Sequence, residues 1–467
     1  MSGFTLNNTH LQFVETILMD LRQRKQHNKL SVEKIASCFG IENRNLIKEL
    51  TELAIVKAAR EIAHDPKITI KERFWEIVSL YESQVNLSHR TSHSMLLQQY
   101  STPAPIAFLC GNYVLNKDND QATYFEPSAG NGLLTIALPY EHTWVNEIDD
   151  VRFANLLNQP FAGYSSANAA KPFTNHDRQF DGIITNPPFG TLDISVKFGE
   201  YKISTLDHLM AIYALDCMKD DGRAAIIIGG HTTWDKNGRI QAGKNWIFFN
   251  YLNHHYQVDD VLNLDGYKLY SRQGTAFDVR LILISGRKKT PEGFAPLKRE
   301  SDTVISSFNE LWERVSVFFD DKNRKEKATQ IERTLFKEIT MAGSPIKIYR
   351  VNASQVRDQF DSDWNQGGHH YAGVDGQYNY IPIDEVWIDG NLNEKDTKAV
   401  ILHELFEYFL MTVHAMTYDQ AHERAKAEEQ KFRDGIASMD LQNKNMLEIA
   451  REKARIRIII ENIHNLK

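Results

Sequence analysis

Asn186-Pro187-Pro188-Phe189 concentrates more chemistry than any other four residues of this sequence. It follows an apolar, strand-like run, Phe180-Asp181-Gly182-Ile183-Ile184-Thr185, and Gly190 comes next. Open α/β sheets bind ligands at their strand ends. Each proline holds φ at roughly −65°, so the turn is stiff and the Asn186 amide projects from a rigid base. An amide oxygen beside backbone carbonyls can accept both hydrogens of an exocyclic amine. The Phe189 ring can stack on the base that carries that amine. Taken alone, the same four residues also fit a proline-rich turn in an unrelated α/β protein.

Three further segments read as companions. In Phe125-Glu126-Pro127-Ser128-Ala129-Gly130-Asn131-Gly132, a strand runs into a small-residue turn, and Gly130 and Gly132 permit positive φ and close backbone approach. It is a nucleotide-type loop but not G-x-G-x-x-G, and a tight turn without a ligand is the plain alternative. Glu147 ends the next strand, where a carboxylate can accept both ribose hydroxyls or simply sit in solvent. Upstream, Gln98-Gln99-Tyr100-Ser101-Thr102-Pro103-Ala104-Pro105 leads into an apolar helix, with Thr102 as candidate N-cap and Pro103 at the first helical position.

These residues need a scaffold. From Thr102 to Ser285, short apolar runs alternate with helical stretches: strands are expected at 124–126, 143–146, 182–185, 224–228, 260–264 and 278–284, with a helix over 207–218. Such alternation predicts a doubly wound, largely parallel α/β sheet. The last two strands lie too close for a helix between them, which predicts an antiparallel hairpin at an edge. Residues 1–93 read as helical, 94–286 as the α/β domain, 287–395 as a mixed region opening on a charged linker, and 396–467 as helical.

In chain order, QQYSTPAP, FEPSAGNG and NPPF resemble the motifs of N6-adenine DNA methyltransferases in their gamma arrangement. The resemblance covers roughly residues 94–285 and implies a Rossmann-like sheet with S-adenosylmethionine as cofactor and DNA as partner. It implies that Asn186 and the Pro187 carbonyl, on the turn stiffened by Pro188, hold the adenine amine, and that Phe189 stacks on the extruded base. Glu126, Ala129 and Gly130 would line the methionine end. Glu147 would bind the ribose, and Thr102 and Pro103 would sit near the methionine carboxylate. Asn168 stands where the family often has an aspartate, so that position accepts a hydrogen bond without charge. With the flanking TELAIVKAAREIA and RTSHSMLLQQYSTPAP, the chain is also similar to methylase modules of phage and mobile-element polyvalent proteins. An RNA or protein-glutamine acceptor, or a non-catalytic DNA-binding protein with a methylase fold, are the other readings.

Other signals are weaker. Residues 190–204 could form a lid, and 232–248 mix Lys, Arg and Trp as a nucleic-acid surface would. Residues 321–333 read as a solvated helix face. Val32–Leu50 loosely fits a helix-turn-helix, with a capping helical bundle the plainer reading. His403-Glu404-Leu405-Phe406-Glu407 approaches H-E-x-x-H but has Glu407 at the second histidine. Polar packing is therefore expected there, and the alternative is zinc on His403, Glu407 and His422 with Glu404 as base.

The 467 residues leave ample material for a buried core, and a net charge of −7 excludes a strongly basic nucleic-acid coat. Cys38, Cys110 and Cys217 are too few and too scattered for a disulfide framework or a cysteine zinc site. No apolar run approaches the roughly 18 residues of a membrane span, and the N-terminus has no secretory pattern, so a cytoplasmic protein is expected.

Overall fold

The computed structural model describes residues 4–86, 101–116, 119–273, 275–299, 302–319, 331–341, 344–359, 364–372, 378, 380–412, 414 and 416–434. Gln98 to Tyr100, most of the basic stretch 321–333 and the expected helix 441–466 fall outside these residues. The chain forms two compact units. One comprises Met1–Asp235, Ile240–Ala295 and Thr303–Phe319; the other comprises Lys236–Arg239, Pro296–Asp302 and Asp320–Lys467.

The first unit is built on an eight-stranded sheet. Its strands are β1 (Tyr124–Glu126), β2 (Thr143–Asn146), β3 (Gly163–Ser165), β4 (Phe180–Thr185), β7 (Met218–Gly229), β8 (Tyr256–Leu264), β9 (Val279–Arg287) and β10 (Val304–Ile305). The order is β10-β8-β9-β7-β4-β1-β2-β3, a Rossmann-like arrangement whose direction of winding reverses at β1. β1 pairs in parallel with β2 and β4, and β4 with β7. β9 is antiparallel to both β7 and β8. The expected hairpin therefore forms, but it lies inside the sheet: β10 pairs with β8 and takes the edge. The connection also holds one helical turn, Gly266–Leu269, where no helix was expected. Residues 182–184 and 224–228 are fully buried, as strands covered on both faces must be.

Four helices precede the sheet: α1 (Asn8–Arg22), α2 (Lys29–Cys38), α3 (Arg44–Ala63) and α4 (Ile70–Ser83). α3 buries 14 of its 20 residues, including Lys48, Glu49, Glu52 and Arg60. No broad face is left for a DNA groove, so the α2–α3 turn at Gly40 belongs to a packed bundle. The helix after Pro103 is α5 (Ala104–Val114); α6 is Asp150–Leu157 and α7 is Leu206–Asp216. The last ends two residues before the expected 218, because Met218 already starts β7.

Residues 190–204 form a separate antiparallel hairpin, β5 (Thr191–Phe198) with β6 (Tyr201–Thr205). In 232–248, Trp234 and Phe248 pack into the sheet's core, so only Trp246, 47% exposed, keeps an open aromatic face.

The second unit carries a four-stranded sheet, β11 (Arg333–Met341), β12 (Ser344–Val351), β14 (Glu385–Asp389) and β13 (Gly367–His369), in that spatial order. Strand β13 lies within the stretch 287–395, which the sequence shows only as mixed. Two helices join this sheet in one core, α8 (Glu394–Thr412) and α9 (Tyr418–Arg433). The C-terminal part is thus mixed α/β before it becomes helical. All three cysteines are free. Among the described residues, no helix is long and apolar enough to cross a membrane.

Candidate active site

The carboxyl ends of β1, β2, β3 and β4 open on one cavity of about 260 Å³. It lies where the winding reverses, the place at which open α/β sheets leave a crevice for ligand. Thr102, Ala129, Gly130, Glu147, Asn168, Asn186, Pro187, Pro188 and Phe189 all line it. Pro103 and Glu126 do not. Pro103 is the N-cap residue of α5, and Glu126 is wholly buried behind Pro127.

The loop after β1 is shaped by its glycines. Gly130 and Gly132 have φ of 55° and 92°, a conformation that side chains with a Cβ resist. A buried polar network fastens the loop from behind. Asn131 Nδ2 donates to Glu49 Oε2 at 2.6 Å, and Arg152 Nε donates to the same oxygen at 2.9 Å. Asn155 Nδ2 donates to Asn131 Oδ1 at 2.7 Å, and Gln159 Nε2 donates to the Asn131 carbonyl at 2.9 Å. Helix α3 is therefore a structural wall of the site. Further along it, the Arg60 guanidinium donates to the Leu138 and Thr135 carbonyls and lies 3.7 Å above the Tyr140 ring.

Thr102 does something other than cap a helix. Its hydroxyl oxygen accepts from Asn186 Nδ2 at 3.0 Å. That contact turns the amine edge of the amide toward Thr102 and the oxygen to the opposite edge. Phe189 is seated by a third glycine: a Cβ on Gly229 would lie 3.0 Å from the ring. Asp207 holds Gly229 in place by accepting from its N–H at 3.2 Å.

Two buried carboxyls, Glu147 and Glu52, line the cavity, and a third, Glu126, is buried outside its lining. Glu147 accepts from Gly130 N at 2.8 Å, Ile148 N at 2.7 Å and Asp149 N at 2.8 Å. With about four lone-pair sites on a carboxylate, this leaves room for about one further donor, not a two-hydroxyl clasp. Burial pushes the Glu147 carboxyl up, and Arg152 partly offsets that. Burial raises Glu126 well above the usual range, and the Ser128 amide and the Ser128 and Thr185 hydroxyls beside it partly offset that; the two hydroxyls also bond each other at 2.9 Å. Glu52 reaches the cavity from α3. Ser101 Oγ donates to its Oε1, its Oε2 has no partner, and burial raises its carboxyl. Asn168 is exposed at the rim, with its oxygen accepting from Ala170 N at 2.9 Å.

Glu52 and Glu49 escaped sequence reasoning. The available signal was a run, Leu46 to Ala59, apolar enough to be buried all round yet carrying two acids and two lysines. Charges there must meet partners inside the protein. The second unit meanwhile brings His403, Glu407 and His422 within 3.3 Å of one another.

No family model and no curated protein matches this chain. Several solved structures align with it. A putative class I S-adenosylmethionine-dependent methyltransferase from Listeria monocytogenes is 11% identical over 67% of this chain and 98% of its own, with a TM-score of 0.38. The M protein of the type I restriction enzyme EcoKI is 12% identical over 94% of this chain and 99% of its own, at 0.34. A modification subunit of a putative type I restriction enzyme from Vibrio vulnificus is 14% identical over 62% of this chain and 65% of its own, at 0.34. Likeness at this level transfers no activity to the chain.

Proposed function

We propose that this protein transfers a methyl group from S-adenosylmethionine to N6 of an adenine extruded from DNA. One observation carries the reading: the stiff Asn186 turn and the glycine loop open on the same cavity, which is lined by the carboxyls of Glu147 and Glu52, the latter with an unpartnered oxygen. Arg152 also lines that cavity, but Glu49 already claims its charge. Such a site suits a small ligand that carries positive charge. Residues Ala129, Gly130, Glu147 and Asn168 would hold the nucleoside portion, and Glu52 would face its cationic end. When bound, S-adenosylmethionine supplies an electrophilic methyl group on a sulfonium.

The chain's own contribution is positioning and polarity. Asn186 accepts one amine hydrogen and the Pro187 carbonyl the other, so the nitrogen lone pair is kept for the incoming methyl. Thr102 keeps the amide from turning. Phe189 stacks on the base, which can be reached only outside the duplex. Pro187 is buried and excludes water beside the amine.

The test is incubation of the full chain with unmethylated DNA and tritiated S-adenosylmethionine, followed by digestion to nucleosides. Label in N6-methyldeoxyadenosine is expected. Label confined to RNA or protein would replace the acceptor, and cofactor binding with no transfer to any of them would sink the enzyme reading.

Cofactor binding is expected to depend on pH in a defined direction. Burial raises the Glu52 carboxyl above its ordinary value. A bound cation favours the ionised form. Affinity should therefore rise with pH through the range in which that carboxyl titrates, with proton release on binding. Calorimetric titration in two buffers of different ionisation enthalpy reads both. Glu52→Gln should flatten the dependence and weaken binding roughly 10- to 100-fold, the worth of a charged hydrogen bond of about 1.5–3 kcal/mol. A pH-independent affinity in the wild-type protein would refute this.

A further inference from the structure

Outside the cavity, the second unit brings together several metal-competent side chains among the described residues. His403 and Glu407 stand one turn apart on α8, and His422 is in the first turn and a half of α9. His403 Nε2 lies 3.3 Å from Glu407 Oε2 and 3.2 Å from His422 Nδ1, and His422 Nδ1 lies 2.7 Å from Glu407 Oε2. Zinc–ligand bonds of about 2.0–2.1 Å in a tetrahedron imply ligand–ligand edges of about 3.3 Å. Two of the three edges have that length.

The outer partners fit the same arrangement. His403 Nδ1 is 2.9 Å from Glu429 Oε2. Its Nε2 faces a carboxylate oxygen and a second imidazole nitrogen. Glu429 is in turn gripped by Arg433, at 2.8 Å from Nε and 2.7 Å from Nη2. A carboxylate on the far nitrogen of a ligating histidine is the outer partner that metal sites use to fix the ring.

The other oxygen of Glu407 is also engaged. His369, from β13 and fully buried, sets its Nε2 3.0 Å from Glu407 Oε1. The Tyr371 N–H points at its Nδ1, which puts the ring's proton on the Glu407 side. Glu407 Oε2 is thus the oxygen turned to the other two donors. Glu404 lies alongside, over Gly367 of β13, where a Cβ would come within 2.7 Å of its Oε1. The His422 side chain is 37% exposed, so the cluster has an opening to solvent.

We propose that His403 Nε2, Glu407 Oε2 and His422 Nδ1 bind one zinc ion, with a fourth position left to water beside Glu404. Two histidines and a glutamate with an open position form a ligand set of catalytic rather than structural zinc sites. The site is separate from the Asn186 cavity, so it stands or falls independently of the methyl-transfer reading.

The full chain, stripped with a chelator and dialysed, is titrated with zinc by calorimetry and with cobalt(II) by visible absorption. One equivalent of zinc and the intense bands of low-coordinate cobalt are expected. His422→Ala, at a partly exposed helix position, should weaken zinc at least 100-fold while leaving the far-ultraviolet circular dichroism unchanged. Glu429→Gln should weaken it about 10- to 100-fold through the ring it holds. Glu404→Gln should keep one equivalent. Absence of zinc uptake by the wild-type chain, or uptake that both His422→Ala and Glu429→Gln leave unchanged, overturns the assignment.

Discussion

Asn186→Ala is expected to lower methyl transfer by about 10²–10³-fold, the usual cost of losing one oriented polar group at a reacting centre. The loss should appear in turnover far more than in cofactor affinity, because the glycine loop and the carboxyl wall stay in place. Two companions sharpen the result. Asn186→Asp keeps oxygen acceptors but loses the Nδ2 donor to Thr102, so its loss should be smaller. Thr102→Val removes the acceptor that holds the amide and should cost roughly tenfold, ~1.4 kcal/mol. Single-turnover transfer and separate binding titrations distinguish these cases. If Asn186→Ala transfers at the wild-type rate, the turn is not the reacting centre.

Glu49→Ala should produce the largest stability change. Its carboxylate is buried and joined to Arg152, Lys48 and Asn131. Breaking a buried pair from one side leaves an uncompensated charge and costs about 3–5 kcal/mol. Removing Arg152 as well should cost less than the two single changes added together, because the surviving charge is then gone. Denaturant midpoints of the four proteins measure this, and simple additivity would show that the pair does not act as one. The same pair sets an acid limit. Burial pushes the Glu49 carboxyl up, but Arg152 and Lys48 outweigh it and hold it at about 2, below its ordinary 4.5. A carboxyl depressed by folding contributes stability above its unfolded pKa and loses it as pH falls toward the folded one. The midpoint should therefore drop between pH ~4.5 and ~2, and Glu49→Ala should lack that component.

Much of this architecture was legible beforehand because period and punctuation are local properties. The runs at 124–126 and 143–146 are apolar and bounded by turn residues, and both became strands with those limits. The glycines at 130 and 132 marked positive φ, which is their backbone conformation. The motifs also fell at strand ends, and in a parallel sheet consecutive carboxyl ends face the same way. That is why residues 129, 147, 168 and 186 share one cavity.

Other features are non-local and had to wait for the fold. Thr102 reads as a helix cap until Asn186, 84 residues away, is seen to occupy its hydroxyl. Glu126 reads as a lining residue until its strand is seen to bury it. Glu49 and Glu52 look like ordinary helix charges until α3 is placed behind the glycine loop. His369 carried no pattern at all; β13 alone brings it to Glu407. Periodicity and turn chemistry reside in a few neighbouring residues, so most strands of the main sheet and the motifs at their ends could be read without the fold, whereas β13 and the helical turn Gly266–Leu269 could not. Which side chains meet, and how many lone pairs remain on a carboxylate once backbone amides have taken theirs, depends on contacts between distant segments. Those contacts exist only once the chain has folded.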